Sequence, residues 1–412
     1  MLFGFAKIIL HGDEILFDIF KRSLNKESRC LIAFRHPDGR EPQLLLWFII
    51  FRLKKLAARK NIKFARRPHA VFVYGYEVVR WGGWTARLFM PNLGAIPIHH
   101  TKLDSKGMAR LYGAIHSGPY PLAIAPEGQV SYSVDTVPRL ETGTIRIGFQ
   151  AAKELAEKNI NSPLEILPVS FHFRYGKKGI SSMEKLLRKI EKLCAFSRNE
   201  TVKNSLEDRI KKCREYILSV NENRYGIKSD DTLSFEERLE TVVNTALATS
   251  ERMLGIKNDG DFFSRLYKVR HECWDKIFIP NKDNLDKIGF IRRNVMNLKA
   301  GAAWHIARHQ EVADFGWYFK HPLPAKDTSL HKKIEYVQNL WDFTNRTMGG
   351  AIADRINIVP SKVIIKTAPS INLTERLSQY KENRKNAIET ALADLEKAYL
   401  NCIDEVNSAE PD

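Results

Sequence analysis

The stretch LIAFRHPDGREPQLLLWFII, residues 31–50, places His36 and Glu41 between two apolar runs. The β-type run LIAF delivers the histidine to a turn at residues 37–39, and a helix is predicted to begin after it. A histidine at a strand end is a candidate general base, because its ring can accept a proton near neutral pH. The pattern alone does not choose among three sites, since the same spacing recurs at His99 with Asp104 and at His309 with Asp314.

The composition describes a folded globular protein of 412 residues, of which 44% are hydrophobic and 27% are charged. The formal net charge of +17 implies an acidic partner, which can be nucleic acid, an anionic membrane face or a phosphorylated substrate. The five cysteines are far apart and include no CxxC pair, so they favour neither a zinc site nor a disulfide framework and fit a reducing compartment. No apolar run approaches the roughly 20 residues that cross a bilayer.

Between about Leu31 and Tyr175, short β-type runs alternate with helical runs. This alternation predicts an α/β fold with a mostly parallel sheet flanked by helices. The following region is rich in lysine, and its apolar residues recur at helical spacing. After it, KVIIK at residues 362–366 has the pattern of one more strand, and a lone strand must join a sheet to satisfy its backbone hydrogen bonds. We therefore predict a large, mainly helical insertion and four regions: an N-terminal amphipathic segment (1–30), an α/β core (31–176), the basic helical insertion (177–355), and a returning strand with a C-terminal helix (356–412).

Four blocks occur in order along the core: RHPDGRE, NLGAIPIHH, APEGQVS and ILPVSF. Their order and strand contexts resemble the glycerolipid acyltransferase superfamily, typified by lysophosphatidic acid acyltransferases. The resemblance covers residues 31 to about 175, and KVIIKTAPSINL is similar to the closing strand of the family. It implies an acyltransferase-like α/β fold and transfer of a fatty acyl group from a thioester, on CoA or acyl carrier protein, to a hydroxyl of a lysolipid or a glycerolipid-like acceptor.

On this resemblance, His36 corresponds to the catalytic histidine and Glu41 to the carboxylate that orients it. The neutral ring would accept the proton of the acceptor hydroxyl as that hydroxyl attacks the thioester. A carboxylate one helical turn away would fix the tautomer and stabilise the imidazolium that forms. Glutamate stands here in place of the family's aspartate, Arg35 stands in place of its asparagine, and Asp38 lies close enough to compete as the partner.

The remaining blocks supply the residues expected to bind substrate, which are Gly94, His99, His100, Glu127, Gly128 and Ser131. In the family, the turn that contains the glutamate holds the acceptor. The block ILPVSF would line the acyl site, although an ordinary buried strand reads the same way. No metal and no bound cofactor are expected, because the thioester co-substrate itself supplies the leaving group. The pair His305 and His309, one helical turn apart, lacks a clear third ligand.

The segment LLLWFIIFRLKKLAARKNIKFARR joins an apolar aromatic start to eight Lys or Arg residues without an acid. It suits an anionic bilayer surface with Trp47 and Phe48 in the interface, and a core helix with a solvated basic end is the alternative.

We expect a cytoplasmic protein, peripheral on the inner face of the membrane, that acts in phospholipid synthesis. Its partners would be the anionic membrane surface, a lipid acceptor and an acyl thioester donor. Two other classes stay open: a catalytically weakened lipid-binding or scaffold protein, and a basic nucleic-acid-binding protein, although no nucleic-acid motif accompanies the charge.

The acceptor headgroup is where the sequence departs most from the family, because two phosphate-gripping arginines are replaced by His99 or His100 and by Val130. Arginine holds phosphate through a bidentate fork that valine lacks and histidine imitates poorly. We predict that lysophosphatidic acid is a poorer acceptor than a lysolipid without a terminal phosphate. Acceptor assays run side by side below and above pH 6.5, about the ordinary pKa of histidine, measure this. Highest activity with lysophosphatidic acid at neutral pH would contradict the prediction.

Overall fold

The computed structural model describes residues 7–99, 104–197, 203–278 and 287–409. The chain divides into two compact units. The α/β unit consists of the residues up to Gly176 and from Val359 onward, and the helical unit is Lys177–Ile358. The helical unit therefore interrupts the α/β unit in the sequence, close to the limits of 177–355 that the composition suggests.

The described residues of the α/β unit contain one sheet with these strands: β1 Lys7–His11, β2 Arg29–Phe34, β3 Val71–Gly75, β4 Ile96–Ile98, β5 Leu122–Ile124, β6 Leu164–Arg174, β7 Lys362–Thr367 and β8 Ile371–Asn372. The strand order is β1-β7-β6-β2-β5-β3-β4, with β8 also paired to β6. Neighbouring strands are parallel except for β6–β7 and β6–β8, which are antiparallel. The predicted α/β class with a mostly parallel sheet is confirmed.

Helices precede, connect and follow these strands. Those of the α/β unit are α1 Asp13–Leu24, α2 Glu41–Trp47, α3 Leu53–Arg59, α4 Val78–Trp81, α5 Gly83–Asn92, α6 Ser105–His116 and α7 Gly143–Glu157, with α14 Leu377–Glu382 and α15 Arg384–Ala409 after the insertion. Those of the helical unit are α8 Lys177–Leu193, α9 Leu206–Tyr225, α10 Phe235–Leu254, α11 Phe262–Ile277, α12 Phe290–Tyr318 and α13 Leu330–Thr347. Among the described helices, none has the length and apolar character needed to cross a bilayer.

Strand β7 returns to the sheet after the helical unit. It pairs with β6 along six residue pairs, from Val169 opposite Thr367 to Arg174 opposite Lys362. The predicted return of residues 362–366 to a sheet is therefore confirmed, and this sheet is the one that contains β2 and β5. The far edge of β7 pairs in parallel with β1, so the N-terminal segment supplies a sheet strand and the helix α1 rather than an amphipathic segment alone.

The C-terminal helix α15 secures the strand that leads to His36. It packs against β6, which is buried along its whole length, and its own buried face includes Leu395 and Tyr399. The Tyr399 hydroxyl donates to the carbonyl of Ala33 in β2 at 3.0 Å. Burial is the main cause that raises the pKa of this tyrosine, and the negative charge of Glu127 raises it further. The hydroxyl is therefore neutral, and can donate, at physiological pH. The end of the chain thus holds the central strand in place.

The helix after β2 is irregular, because a π-helical turn, Phe48–Arg52, joins α2 to α3. A π turn inserts an extra residue into the helical repeat and so changes which side chains face the core. Phe48 and Ile49 are buried, whereas Phe51 is 56% exposed. The expectation that Phe48 enters a membrane interface is wrong, since its side chain belongs to the core.

Gly12 connects β1 to α1, and a substitution there tests how closely this turn packs against β7. Its φ angle is +78°, and a Cβ at this position would lie 2.6 Å from the carbonyl oxygen of Thr367 in β7. We expect Gly12→Ala to lower the free energy of unfolding by about 2–5 kcal/mol, the sum of left-handed strain and overpacking. Gly83, at φ +74° with nothing within 4 Å of the added Cβ, is the matched control, and Gly83→Ala should cost only about 1–2 kcal/mol. Urea unfolding measures both, and equal costs would show that the contact with β7 adds nothing.

Candidate active site

Four parallel strands bring His36, Glu127 and His99 to one edge of the sheet. Strands β2, β5, β3 and β4 are successive parallel neighbours, so their carboxyl ends share that edge. His36 follows β2, Glu127 follows β5, and His99 follows β4. In open α/β sheets, ligands bind at this edge. The geometry therefore gathers residues from three of the four sequence blocks on the side of the sheet where chemistry is expected.

His36 and Glu41 form the central contact of the site. Glu41 is the first residue of α2, and its Oε2 lies 2.7 Å from Nδ1 of His36. The backbone N–H groups of Asp38 and Gly39 donate to the same carboxylate at 2.7 and 2.8 Å. The same carboxylate accepts a hydrogen bond from the Nδ1–H of the neutral ring, whose lone pair then lies on Nε2.

The surroundings of His36 change its pKa in opposite directions. Burial of the ring, whose side chain is 18% exposed, lowers the pKa because the imidazolium loses hydration. The hydrogen bond to Glu41 and the charge of that carboxylate raise it, and the charges of Glu127 and Asp38 raise it further. The pKa of His36 ends above its ordinary value of 6.5, which suits a base that works near neutral pH.

Asp38, which could have competed with Glu41 for His36, pairs with another residue. Its carboxylate forms an ion pair with Arg40, in which Nη2 donates to Oδ2 at 2.7 Å. The Arg40 guanidinium also lies 5.9 Å from the centre of the Phe173 ring in β6. Glu41 is therefore the carboxylate on the histidine ring, and the extra methylene of glutamate is accommodated at the start of α2.

Beneath the histidine, Arg35 and Glu127 form a buried ion pair, and neither side chain has exposed surface. Nε of Arg35 donates to Oε1 of Glu127 at 3.1 Å, and the backbone N–H of His36 donates to Oε2 at 3.0 Å. The remaining guanidinium N–H groups donate at 2.6–2.8 Å to the carbonyls of Ser133, Val134 and Thr136. The Glu127 side chain has no exposed surface, and the contacts that it makes hold Arg35 and the backbone of His36.

The turn after β5 is bound to the histidine loop through its backbone. Gly128 adopts φ +73°, and its N–H donates to the carbonyl of Ala125 at 3.2 Å. Ser131 is 2% exposed, and its N–H donates to the carbonyl of His36 at 2.9 Å. Gly128 and Val130 are half-buried, so they, rather than Glu127 or Ser131, present surface on this turn.

The residues of the second block, NLGAIPIHH, lie at both ends of strand β4. His99 lies at the carboxyl end of β4, where its ring centre is 3.5 Å from that of Tyr76. Gly94 precedes β4 and therefore lies toward the opposite edge from His36, where its N–H donates to Pro91 as α5 ends. A role for Gly94 in binding substrate beside His36 is not supported by this position. His100 lies outside the described residues.

The structure also decides among the three histidine–carboxylate spacings. Asp104 accepts from the backbone N–H of His99 and caps α6, so its carboxylate is not on the ring. His309 and Asp314 lie on one helix, where a separation of five residues places them on different faces. Their partners are Tyr225 at 3.0 Å and Arg270 at 2.5 Å, respectively. Of the three spacings, the one at His36 joins a carboxylate to an imidazole nitrogen.

Neither a protein-family model nor a curated protein nor a solved structure matches this chain. The described residues also hold no cluster of three or more His, Cys, Asp or Glu side chains placed to bind a metal ion.

Two residues of the site have roles that the sequence did not indicate. Arg35 is noticeable in the sequence only as a departure from the family, yet its side chain connects β2, Glu127 and the loop at residues 133–136. A buried arginine needs a carboxylate partner, and the acid of the APEG turn was the available signal. Tyr399 had no such signal, because it contacts Ala33 from the other end of the chain.

The Arg35–Glu127 pair yields a stability prediction. Arg35→Met leaves a buried carboxylate without its cation, and we expect a loss of about 3–5 kcal/mol in the free energy of unfolding. Lys385→Met, which breaks an exposed pair with Glu389 whose two side chains are 86% and 60% exposed, is the matched control and should change it by about 0.5 kcal/mol or less. Chemical denaturation of both variants provides the comparison. If Arg35→Met costs no more than the control, the buried pair does not hold the site together.

Proposed function

We propose that the protein is an acyltransferase that moves a fatty acyl group from an acyl thioester, on CoA or acyl carrier protein, to a hydroxyl of a lysolipid or glycerolipid-like acceptor. The observation that carries the proposal is the His36–Glu41 contact of 2.7 Å at the carboxyl end of β2. A histidine held by a fixed carboxylate is suited to remove a proton from a hydroxyl and later return it to a leaving group. The order of the blocks around it supports this reaction over other uses of such a pair.

In the proposed reaction, Nε2 of His36 takes the proton of the acceptor hydroxyl while the hydroxyl oxygen attacks the thioester carbonyl carbon. Glu41 stabilises the imidazolium that forms. When the tetrahedral intermediate collapses, the new C–O bond remains, the C–S bond breaks, and the imidazolium returns its proton to the departing thiolate. The histidine ends neutral, and no net proton is gained or lost.

The two cations next to His36 in the chain are both engaged by carboxylates, Arg35 by Glu127 and Arg40 by Asp38. With His36 neutral, these five side chains and Glu41 sum to one negative charge. Such a site favours a neutral hydroxyl and a neutral thioester, and it disfavours a dianionic phosphate. The charge balance agrees with the preference for an acceptor that lacks a terminal phosphate.

Purified protein supplied with a long-chain acyl-CoA or acyl carrier protein and a panel of lysolipids tests the reaction. We expect thiol release that depends on the acceptor, with the acylated lipid detected by mass spectrometry. Absence of thiol release with either donor and every acceptor would favour the lipid-binding alternative instead.

Substitution of the site residues should produce a definite order of effects. His36→Ala should lower kcat/KM by at least about a hundredfold, as is typical when a positioned base is lost. Glu41→Gln should cost less, because the base remains, and Asp38→Asn should cost least, because Asp38 pairs with Arg40. Steady-state kinetics on variants with unchanged circular dichroism give the ranking. A larger effect of Asp38→Asn than of Glu41→Gln would reassign the orienting role.

The pH dependence of the same variants follows from the pKa of His36. Only the neutral ring accepts a proton, so kcat/KM should rise as pH increases through a pKa above 6.5. Glu41→Gln removes the negative charge that raises this pKa and leaves at most a weaker, neutral hydrogen bond, while burial continues to lower the pKa. The rise in the residual activity should therefore move to lower pH in that variant. Identical midpoints in the two profiles would show that another group controls the rate.

A further inference from the structure

The first half of helix α12 carries no buried side chain. Buried residues of this helix begin at Ala303; of the thirteen residues 290–302, Arg293, Met296 and Ala300 are half-buried on one face and the others are exposed. Among them are large apolar side chains, with Phe290 exposed to 78%, Ile291 to 80% and Leu298 to 75%. Three such side chains in solvent within three helical turns form an apolar surface that needs a partner.

The exposed residues form an ordered pattern. Ile291, Val295 and Leu298 are four and three residues apart, so they share one face of the helix. Arg292 and Lys299, both exposed, lie seven residues apart on the neighbouring face. The sequence has no acidic residue from Lys287 to Gln310. This half of α12 therefore combines an apolar stripe with a purely positive flank.

The charge argues against a second copy of the chain as the partner, because pairing two such faces brings like charges together on a protein of net charge +17. An apolar stripe beside cations fits an anionic bilayer surface, where the stripe enters the acyl boundary and the cations meet headgroups. We propose that residues 290–302 of α12 dock the helical unit onto an anionic membrane surface.

This surface belongs to the helical unit and not to the unit that contains His36. The proposal consequently does not depend on acyl transfer, and its test measures binding rather than turnover. Failure of the acyltransferase assay with intact vesicle binding would leave the docking surface in place. Loss of vesicle binding with intact turnover on dispersed lipids would overturn the docking surface and leave the acyltransferase proposal in place.

The experiment is vesicle flotation of the full chain, with vesicles of phosphatidylcholine alone and vesicles that also contain phosphatidylglycerol. We expect flotation with the anionic vesicles only, and we expect it to weaken as salt rises from about 0.1 M to about 1 M. No flotation with anionic vesicles would overturn the proposal. So would self-association of the wild-type chain that disappears in the stripe variant described next.

Two double variants locate the surface. Ile291→Ser with Leu298→Ser removes the stripe without changing charge, and Arg292→Gln with Lys299→Gln removes the cations; each should weaken binding to anionic vesicles about tenfold or more. The matched controls are Leu233→Ser with Met253→Ser, exposed apolar positions elsewhere in the helical unit, and Lys228→Gln with Lys257→Gln, exposed cations there. Controls should bind like the wild type. Equal weakening in variants and controls, or binding of an acidic peptide in place of vesicles, would overturn the proposal.

Discussion

The candidate site depends on one buried ion pair, Arg35 with Glu127. Its guanidinium spans the gap between β2 and the turn after β5, because it donates to the Glu127 carboxylate and to three carbonyls of the following loop. The carboxylate in turn receives the backbone N–H of His36. Burying two charges costs several kcal/mol for each ion unless every donor and acceptor is satisfied, and these contacts supply such partners. The position of His36 is therefore set by the same interaction that holds the loop at residues 133–136.

The sequence predicted the contact between His36 and Glu41 because both residues are local. Five residues separate His36 from Glu41, and a strand end followed by a helix start fixes their geometry within one turn. The roles of Glu127 and Ser131 depended on contacts between segments about 90 residues apart, and block order carries no information on which side chains become buried there. Gly94 was grouped with the site by its block, although the direction of β4 places it toward the other edge. The local contact was predictable, whereas long-range burial was not.

The same distinction applies to the fold. Strands β2 to β7 were recognisable as apolar runs between turns, and the lone strand after the helical region predicted its own return to the sheet. Strand β1 was missed because KIILH is short and its partner β7 follows the whole insertion. The π turn at Phe48–Arg52 was missed for another reason: apolar periodicity cannot reveal an extra residue in a helical repeat when the whole run is apolar. Its consequence was the wrong orientation assigned to Phe48.

The distribution of charge connects the site to the surface. The chain carries a formal charge of +17, yet the six ionisable side chains around His36 balance when the ring is protonated and sum to one negative charge when it is neutral. The positive excess therefore lies elsewhere, in part on the exposed and acid-free half of α12. A phosphate ligand held at the base would require cations there that are not already engaged by carboxylates. Among the described residues, the two arginines beside His36 are each engaged by a carboxylate, whereas Arg292 and Lys299 of α12 are exposed.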